Sequence, residues 1–199
     1  MSLAAVTGHV LLVSACLLFL IPVRRLSPLP RGVALAVCLG IGLARIGELR
    51  LIAYPAGILG DLSITTQILL AAVIAKRVAD VEGLANADRS FLLTATAWTG
   101  LVLYFFSSGL TTIDVYAMGF GSAGLMLVLP IAILLCWRHR PGAAIAVVVG
   151  VVAYDFDLLS SRNIWDYLVD PLLVIFSWGW ALTRALGRFR SSAASPNRP

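Results

Sequence analysis

Charge is scarce in this sequence. Only 13% of its 199 residues are Asp, Glu, Lys or Arg, and Lys76 is the single lysine; a soluble globular domain usually carries about 25%. The chain is 60% hydrophobic with a mean hydropathy of +0.94, too apolar to cover itself with polar surface in water. Lipid is the solvent such a composition predicts, with backbone groups satisfied inside helices. Long strands of alternating polarity are also missing, which argues against an outer-membrane barrel.

Other absences narrow the chemistry. The three cysteines, Cys16, Cys38 and Cys136, each lie in an apolar run without a CxxC pair, so they read as small buried hydrophobes rather than a disulfide or thiol metal site. Two histidines far apart, His9 and His139, exclude a multi-histidine zinc or haem site by count. HExxH, P-loop, GxSxG and GxGxxG motifs are absent in context, and Asn86, Asn163 and Asn197 lack the glycosylation sequon. The net charge of +5 comes without a basic stripe of interleaved aromatics, so no nucleic-acid partner is implied. No basic region precedes the apolar stretch Val10–Val23, which therefore reads as a membrane helix and not as a signal peptide.

What is present is a series of seven apolar runs near the ~20 residues that cross a ~30 Å hydrocarbon core. They cover about 4–23, 32–52, 58–75, 91–108, 115–137, 142–159 and 165–182, with Tyr54-Pro55-Ala56-Gly57 reading as a break. The interval from Arg45 to Asp61 is either part of a full crossing or a re-entrant segment. The expected fold is all-α, a polytopic membrane helix bundle forming a single domain over 1–190, followed by a disordered cytoplasmic tail over 191–199.

The loops that alternate from the first to the tail hold twelve of the fifteen Lys and Arg residues, leaving Arg45, Arg50 and Arg162 opposite. The positive-inside rule then places the N-terminus outside and the C-terminus in the cytoplasm of a plasma membrane, an inner membrane if the cell is bacterial. The segments 30–37 and 140–147 resemble each other (PRGVALAV and RPGAAIAV); each opens a helix that ends in charge and leads to another beginning with acid. This hints at parallel helix triplets in a 3+1+3 arrangement, a topology similar to that of SWEET-type sugar carriers, although their Pro-Gln signature is missing. Asp61-Leu62-Ser63-Ile64-Thr65-Thr66 faintly resembles microbial rhodopsins, but no lysine stands in the seventh run to carry retinal.

Seven acids gather at the outer end against three arginines. Counting ~1.5 Å per helical residue from the inner anchors puts Arg45, Asp61, Asp155 and Asp170 roughly 21–23 Å up, inside the outer edge of the core, where charge normally faces a bundle interior or a wet cavity. Arg45 and Glu48 are spaced to pair on one helix face; Asp166 and Asp170 share a face and repel unless a proton, an arginine or a cation intervenes; Pro171 can bend the last helix. Arg45, Glu48, Asp61, Asp155, Asp166 and Asp170, lined by Tyr54, Tyr154 and Tyr167, are the candidate ligand-binding set. The remaining outer tyrosines, Tyr104 and Tyr116, read as an interfacial belt.

Three function classes fit. The favoured one is a small carrier for a cation or polar solute. A membrane-embedded enzyme could act on a lipid-linked substrate at the outer leaflet, its aspartates holding a divalent metal and Arg45 meeting phosphate. A non-catalytic subunit of a membrane complex would use the polar cluster as glue between helices. Partners follow accordingly: the bilayer, a small solute or lipid-linked substrate, or another membrane protein.

Overall fold

The computed structural model describes residues 2–110 and 112–193, and they are mostly helical. Helix α1 (Leu3–Leu20) is followed by α2 (Pro28–Leu43), a hairpin of β1 (Arg45–Ile46) and β2 (Leu49–Arg50), and α3 (Ala53–Leu59). Then come α4 (Ile64–Val78), α5 (Asn86–Phe106), α6 (Ser122–Trp137), α7 (Pro141–Asp155), α8 (Ile164–Leu168) and α9 (Pro171–Ala193). Among the described residues seven helices have fifteen residues or more, one overlapping each apolar run. One of them, α1, is long and apolar enough to cross a membrane; α2, Gly124–Trp137 and α7 are apolar but shorter.

Local chemistry sets the helix starts. The Ser2 side chain accepts the Ala5 N–H at 3.1 Å to cap α1. Pro28 and Pro141 open α2 and α7, where the missing N–H costs no helical bond.

Three boundaries differ from the sequence reading. The second run does not stay helical to 52: α2 stops at Leu43, Gly47 takes φ +64°, and the chain turns back with Arg45 opposite Arg50. Tyr54–Gly57 is not a break but lies within α3, whose Pro55 falls in the first turn. The interval Arg45–Asp61 thus holds no helix long enough to cross. Finally, Pro171 does not bend a continuous helix; it starts α9, and extended Val169 separates α8 from it. At the far end α9 continues through 191–193, and the rest of the expected tail, 194–199, lies outside the described residues.

The hydrogen bonds between elements put alternate helix ends together. Arg77 near the end of α4 donates to the carbonyls of Leu18, Phe19 and Ile21 at the end of α1. Asp88 in the first turn of α5 accepts from Gly142 at the start of α7. Helix α1 packs on α2 and α4, α6 on α7, and α5 on α9, while α7 also touches α4 and α5. The triplets suggested by sequence are therefore not packed alike, since α9 leans mainly on α5, outside its own triplet.

Small residues form the inward face of α7. The buried positions of α7 are Ala143, Ala144, Ala146, Gly150 and Ala153, whereas its Ile145, Val148, Val149 and Val152 point outward. Cys38 is buried as expected, but Cys16 and Cys136 are exposed on the outer surface of the helices. Gly100 marks a close crossing of α5 and α9: a Cβ there would lie 2.8 Å from Val174 Cγ1. Gly100→Ala should lower stability by about 1–3 kcal/mol through overpacking. Thermal unfolding in detergent checks this, and Val174→Ala in the same chain should restore most of the loss.

Candidate functional site

At the end of the bundle where α4 and α9 begin and α5 and α7 end, a cleft of about 610 Å³ is lined by Asp61, Asp166 and Asp170 together with Tyr104, Ser107, Tyr116, Ser160 and Ser161. Among the described residues no lysine or arginine lines it.

Asp170 sits at its base, 3% exposed. Its Oδ1 accepts the Leu173 N–H at 2.8 Å, the N-cap bond of α9. Its Oδ2 accepts the Ser63 N–H at 3.0 Å, the Ser63 hydroxyl at 2.7 Å and the Thr66 hydroxyl. Ser63 in turn caps α4 by accepting the Thr66 N–H at 3.2 Å. One carboxylate therefore faces two helix N-termini, whose partial positive charges and free N–H groups suit an anion. Both oxygens are taken by protein donors.

Asp166, on α8, is held differently. Its Oδ2 accepts the Tyr116 hydroxyl at 2.7 Å and the Ser161 hydroxyl at 2.5 Å. Burial, and then this bond to Asp166, push the Tyr116 phenol up to about 12. Tyr116 thus remains a donor throughout the physiological range, and the contribution of this bond is full below pH ~10 and fades only as pH rises through ~12. Asn163 fixes the neighbourhood: its Oδ1 caps α8 by accepting the Trp165 N–H at 3.0 Å, and its Nδ2 donates to the Tyr116 carbonyl at 2.8 Å. Asp61 Oδ2 accepts the Ser160 N–H at 2.8 Å, tying the segment before α4 to the loop after α7.

Of the predicted set, the cleft brings together Asp61, Asp166 and Asp170. Tyr154 and Tyr167 pack behind it with perpendicular rings 5.4 Å apart. The buried Tyr167 hydroxyl accepts the Leu159 N–H at 3.1 Å and lies 3.1 Å from the Ser161 carbonyl, bracing the loop that carries Ser160 and Ser161. Arg45, Glu48 and Tyr54 do not join them. The first two lie exposed on the hairpin, and Tyr54 donates from α3 to the Ile46 carbonyl at 3.2 Å. Arg45 and Glu48 form no ion pair; among the described residues the salt bridges are Lys76–Asp80 and Lys76–Glu82. Asp155 is the exposed last residue of α7. The expected repulsion of Asp166 and Asp170 on one helix face is also relieved, because α8 ends before α9 starts.

Sequence reasoning assigned Tyr104 and Tyr116 to a belt and passed over Ser107, Ser160 and Ser161. The Ser160-Ser161 pair ahead of the Asn163 cap was the one local signal for a polar loop. Among the described residues no three His, Cys, Asp or Glu side chains converge as metal ligands. His9 is fully buried on α1, its Nδ1 2.8 Å from the Ala5 carbonyl. No family model, curated protein or solved structure matches the chain.

Asp170→Asn turns an acceptor into a donor facing donors. It should destabilise the fold by about 2–4 kcal/mol, whereas Tyr116→Phe should cost about 1–2 kcal/mol. Thermal midpoints of the two variants in the same detergent give the comparison; equal midpoints for wild type and Asp170→Asn would remove the shared-cap role.

Proposed function

We propose that the seven long helices cross a membrane and that the acidic cleft at their outer end is the recognition site of a small carrier for a cation or polar solute. The membrane reading is supported by the apolar outer surface. Phe19, Val37, Trp98, Val102, Leu127, Ile133, Ile145, Ile175 and Phe176 are among many large hydrophobics left exposed on successive helices, a surface far larger than the apolar patches of a soluble monomer. Helices of 15 or 16 residues are short for a ~30 Å core, which bilayer thinning and flanking aromatics accommodate. The interior Ala and Gly residues are the small-residue packing that membrane helices favour.

The observation that carries the solute reading is the absence of any cation among the residues lining a cleft with three aspartates. Asp61 and Asp166 each use one oxygen within the chain, which leaves the other for a ligand, and Tyr104 and Tyr116 add ring faces and hydroxyls. In this reading Asp170 is not the ligand group but the pin of the cleft floor. A carrier of this form must move α9 against α4 to open inward, and the Asp170 bonds are what that motion breaks and remakes. The full engagement of Asp170 favours one second reading, a non-catalytic subunit in which the polar cluster only joins helices.

Two measurements test these claims. With Cys16 and Cys136 replaced by serine, cysteine at Leu110 should react with an impermeant reagent from outside and cysteine at Val81 should not; the reverse pattern inverts the orientation, and equal labelling of both removes the crossing model. In liposomes, saturable uptake from a panel of inorganic cations and small amines should fall at least tenfold in Asp61→Asn and Asp166→Asn but not in Asp155→Asn. Uptake indifferent to both cleft variants would leave the subunit reading.

A further inference from the structure

At the opposite end of the bundle a second polar cleft has the reverse character. Arg89, Arg140 and Arg184 line a space of about 660 Å³ with Asn86, Ser90 and Trp180, and among the described residues no carboxylate lines it. Arg184 is positioned by a 2.5 Å bond to the Ser90 hydroxyl and lies over the Trp180 ring, 4.9 Å from its centroid. Arg89 is steadied by Asn86 Oδ1 at 2.7 Å. Among the described residues none of the three arginines takes part in a salt bridge. The neighbouring basic cleft differs, because there Lys76 is neutralised by Asp80 and Glu82 and Arg77 caps α1.

Arg89 and Trp180 also line the end of an apolar groove of about 420 Å³ between α1, α4, α5 and α9, with walls that include Leu12, Leu69, Leu93, Leu172 and Phe176. Along α9 the groove runs from Leu172 to Trp180, roughly 12 Å of helix, close to the depth of one leaflet. Arg89 thus stands at the mouth of the apolar groove, with Arg140 and Arg184 in the cleft beside it.

We propose that this is a binding site for an anionic phospholipid of the inner leaflet. The phosphate lies among Arg89, Arg140 and Arg184, where planar N–H donors match phosphate oxygens, and one acyl chain fills the groove. The anion complements the charge of the cleft, and the chain covers apolar side chains that would otherwise border a void. Basic pockets at the cytoplasmic ends of membrane helices suit such headgroups. The site rests on the membrane-embedded reading and is independent of the solute proposed for the outer cleft. Because it bridges α5, α7 and α9, the lipid also stabilises the packing of α9 on α5.

The test uses the full chain in nanodiscs or detergent with defined lipids. Phosphatidylglycerol should be retained through purification and raise the thermal midpoint, and phosphatidylcholine should do neither. Arg89→Gln, Arg140→Gln and Arg184→Gln should each weaken phosphatidylglycerol binding about fivefold. Leu12→Trp, at a half-buried wall position of the groove, should weaken the lipid while leaving inorganic phosphate unaffected. Asp155→Asn, at the exposed last residue of α7, should change nothing in this assay. Equal retention of both lipids by the wild type, or unchanged phosphatidylglycerol binding in the triple arginine variant at an intact helical content, would overturn the site. Inorganic phosphate stabilising as well as the lipid, with Leu12→Trp silent, would reassign it to free phosphate and likewise overturn it. Release of the chain from membranes by carbonate washing would instead remove the membrane reading on which the site rests.

Discussion

The arrangement depends most on a single carboxylate. Each helix begins with N–H groups that lack an intrahelical partner, and where water is scarce those groups need an acceptor from the protein. Asp170 provides it for two helices at once: its own α9 through Leu173, and α4 through Ser63, with the Thr66 hydroxyl completing the set. Hydrogen bonds to charged groups contribute about 1.5–3 kcal/mol each, so the four donors together offset the burial of the charge. The consequence is positional. Fixing α9 to α4 sets where Asp61 stands, two residues before the Ser63 cap, and lets it receive Ser160 from the loop that reaches α8. The opposite end uses the same device in simpler form. Asp88 Oδ2 accepts the Gly142 N–H at 3.1 Å, and Gly142 must lack a side chain because a Cβ would come within 2.7 Å of that oxygen.

Between these pins the helices are held by shape rather than polarity. With apolar residues on the outside as well as the inside, burial of hydrophobic surface cannot choose which face of α7 turns inward. Side-chain size does. Ala and Gly face the neighbours and Val and Ile face out, so backbones approach closely and dispersion contacts accumulate. The same logic explains why α5 meets α9 at Gly100. It also explains why carboxylate pins matter: packing of small residues permits sliding along the helix axis, and a buried charge with directional donors does not.

Hydropathy made the seven long helices legible, because each apolar run overlaps one. It could not place their ends. Ile46, Leu49 and Ile52 continue the apolar signal of the second run, yet Gly47 turns the chain into a hairpin and carries Arg45 and Glu48 away from the cleft. Pro171 was visible as a disruption, but whether a proline bends a helix or opens one depends on whether the preceding residue can cap it, and Asp170 can. The charges counted by depth sit at those ends: Arg45, Asp61, Asp155 and Asp170 all lie at or beyond helix ends rather than inside helix bodies. The cleft residues that were missed come from segments about fifty residues apart, Tyr116 with Asp166 and Asp61 with Ser160 a hundred, and no periodicity connects such pairs.

The two ends of the bundle also constrain how a carrier of the proposed kind could work. Acids line the outer cleft and arginines the inner one, so a cation would bind more tightly in an outward-open state than in an inward-open one. Such a difference in affinity decides which state accumulates when solute is present. It does not drive net movement, which the solute gradient or a coupled ion must supply. In such a carrier the basic end would favour release of a cation and resist its return to the site, whereas a neutral polar solute would feel neither effect. A phospholipid phosphate among the inner arginines would cancel part of that field. Occupancy of the lipid site would then weaken the electrostatic push toward release, and through this the charge of the inner leaflet would set how asymmetric the two faces are for a cationic solute.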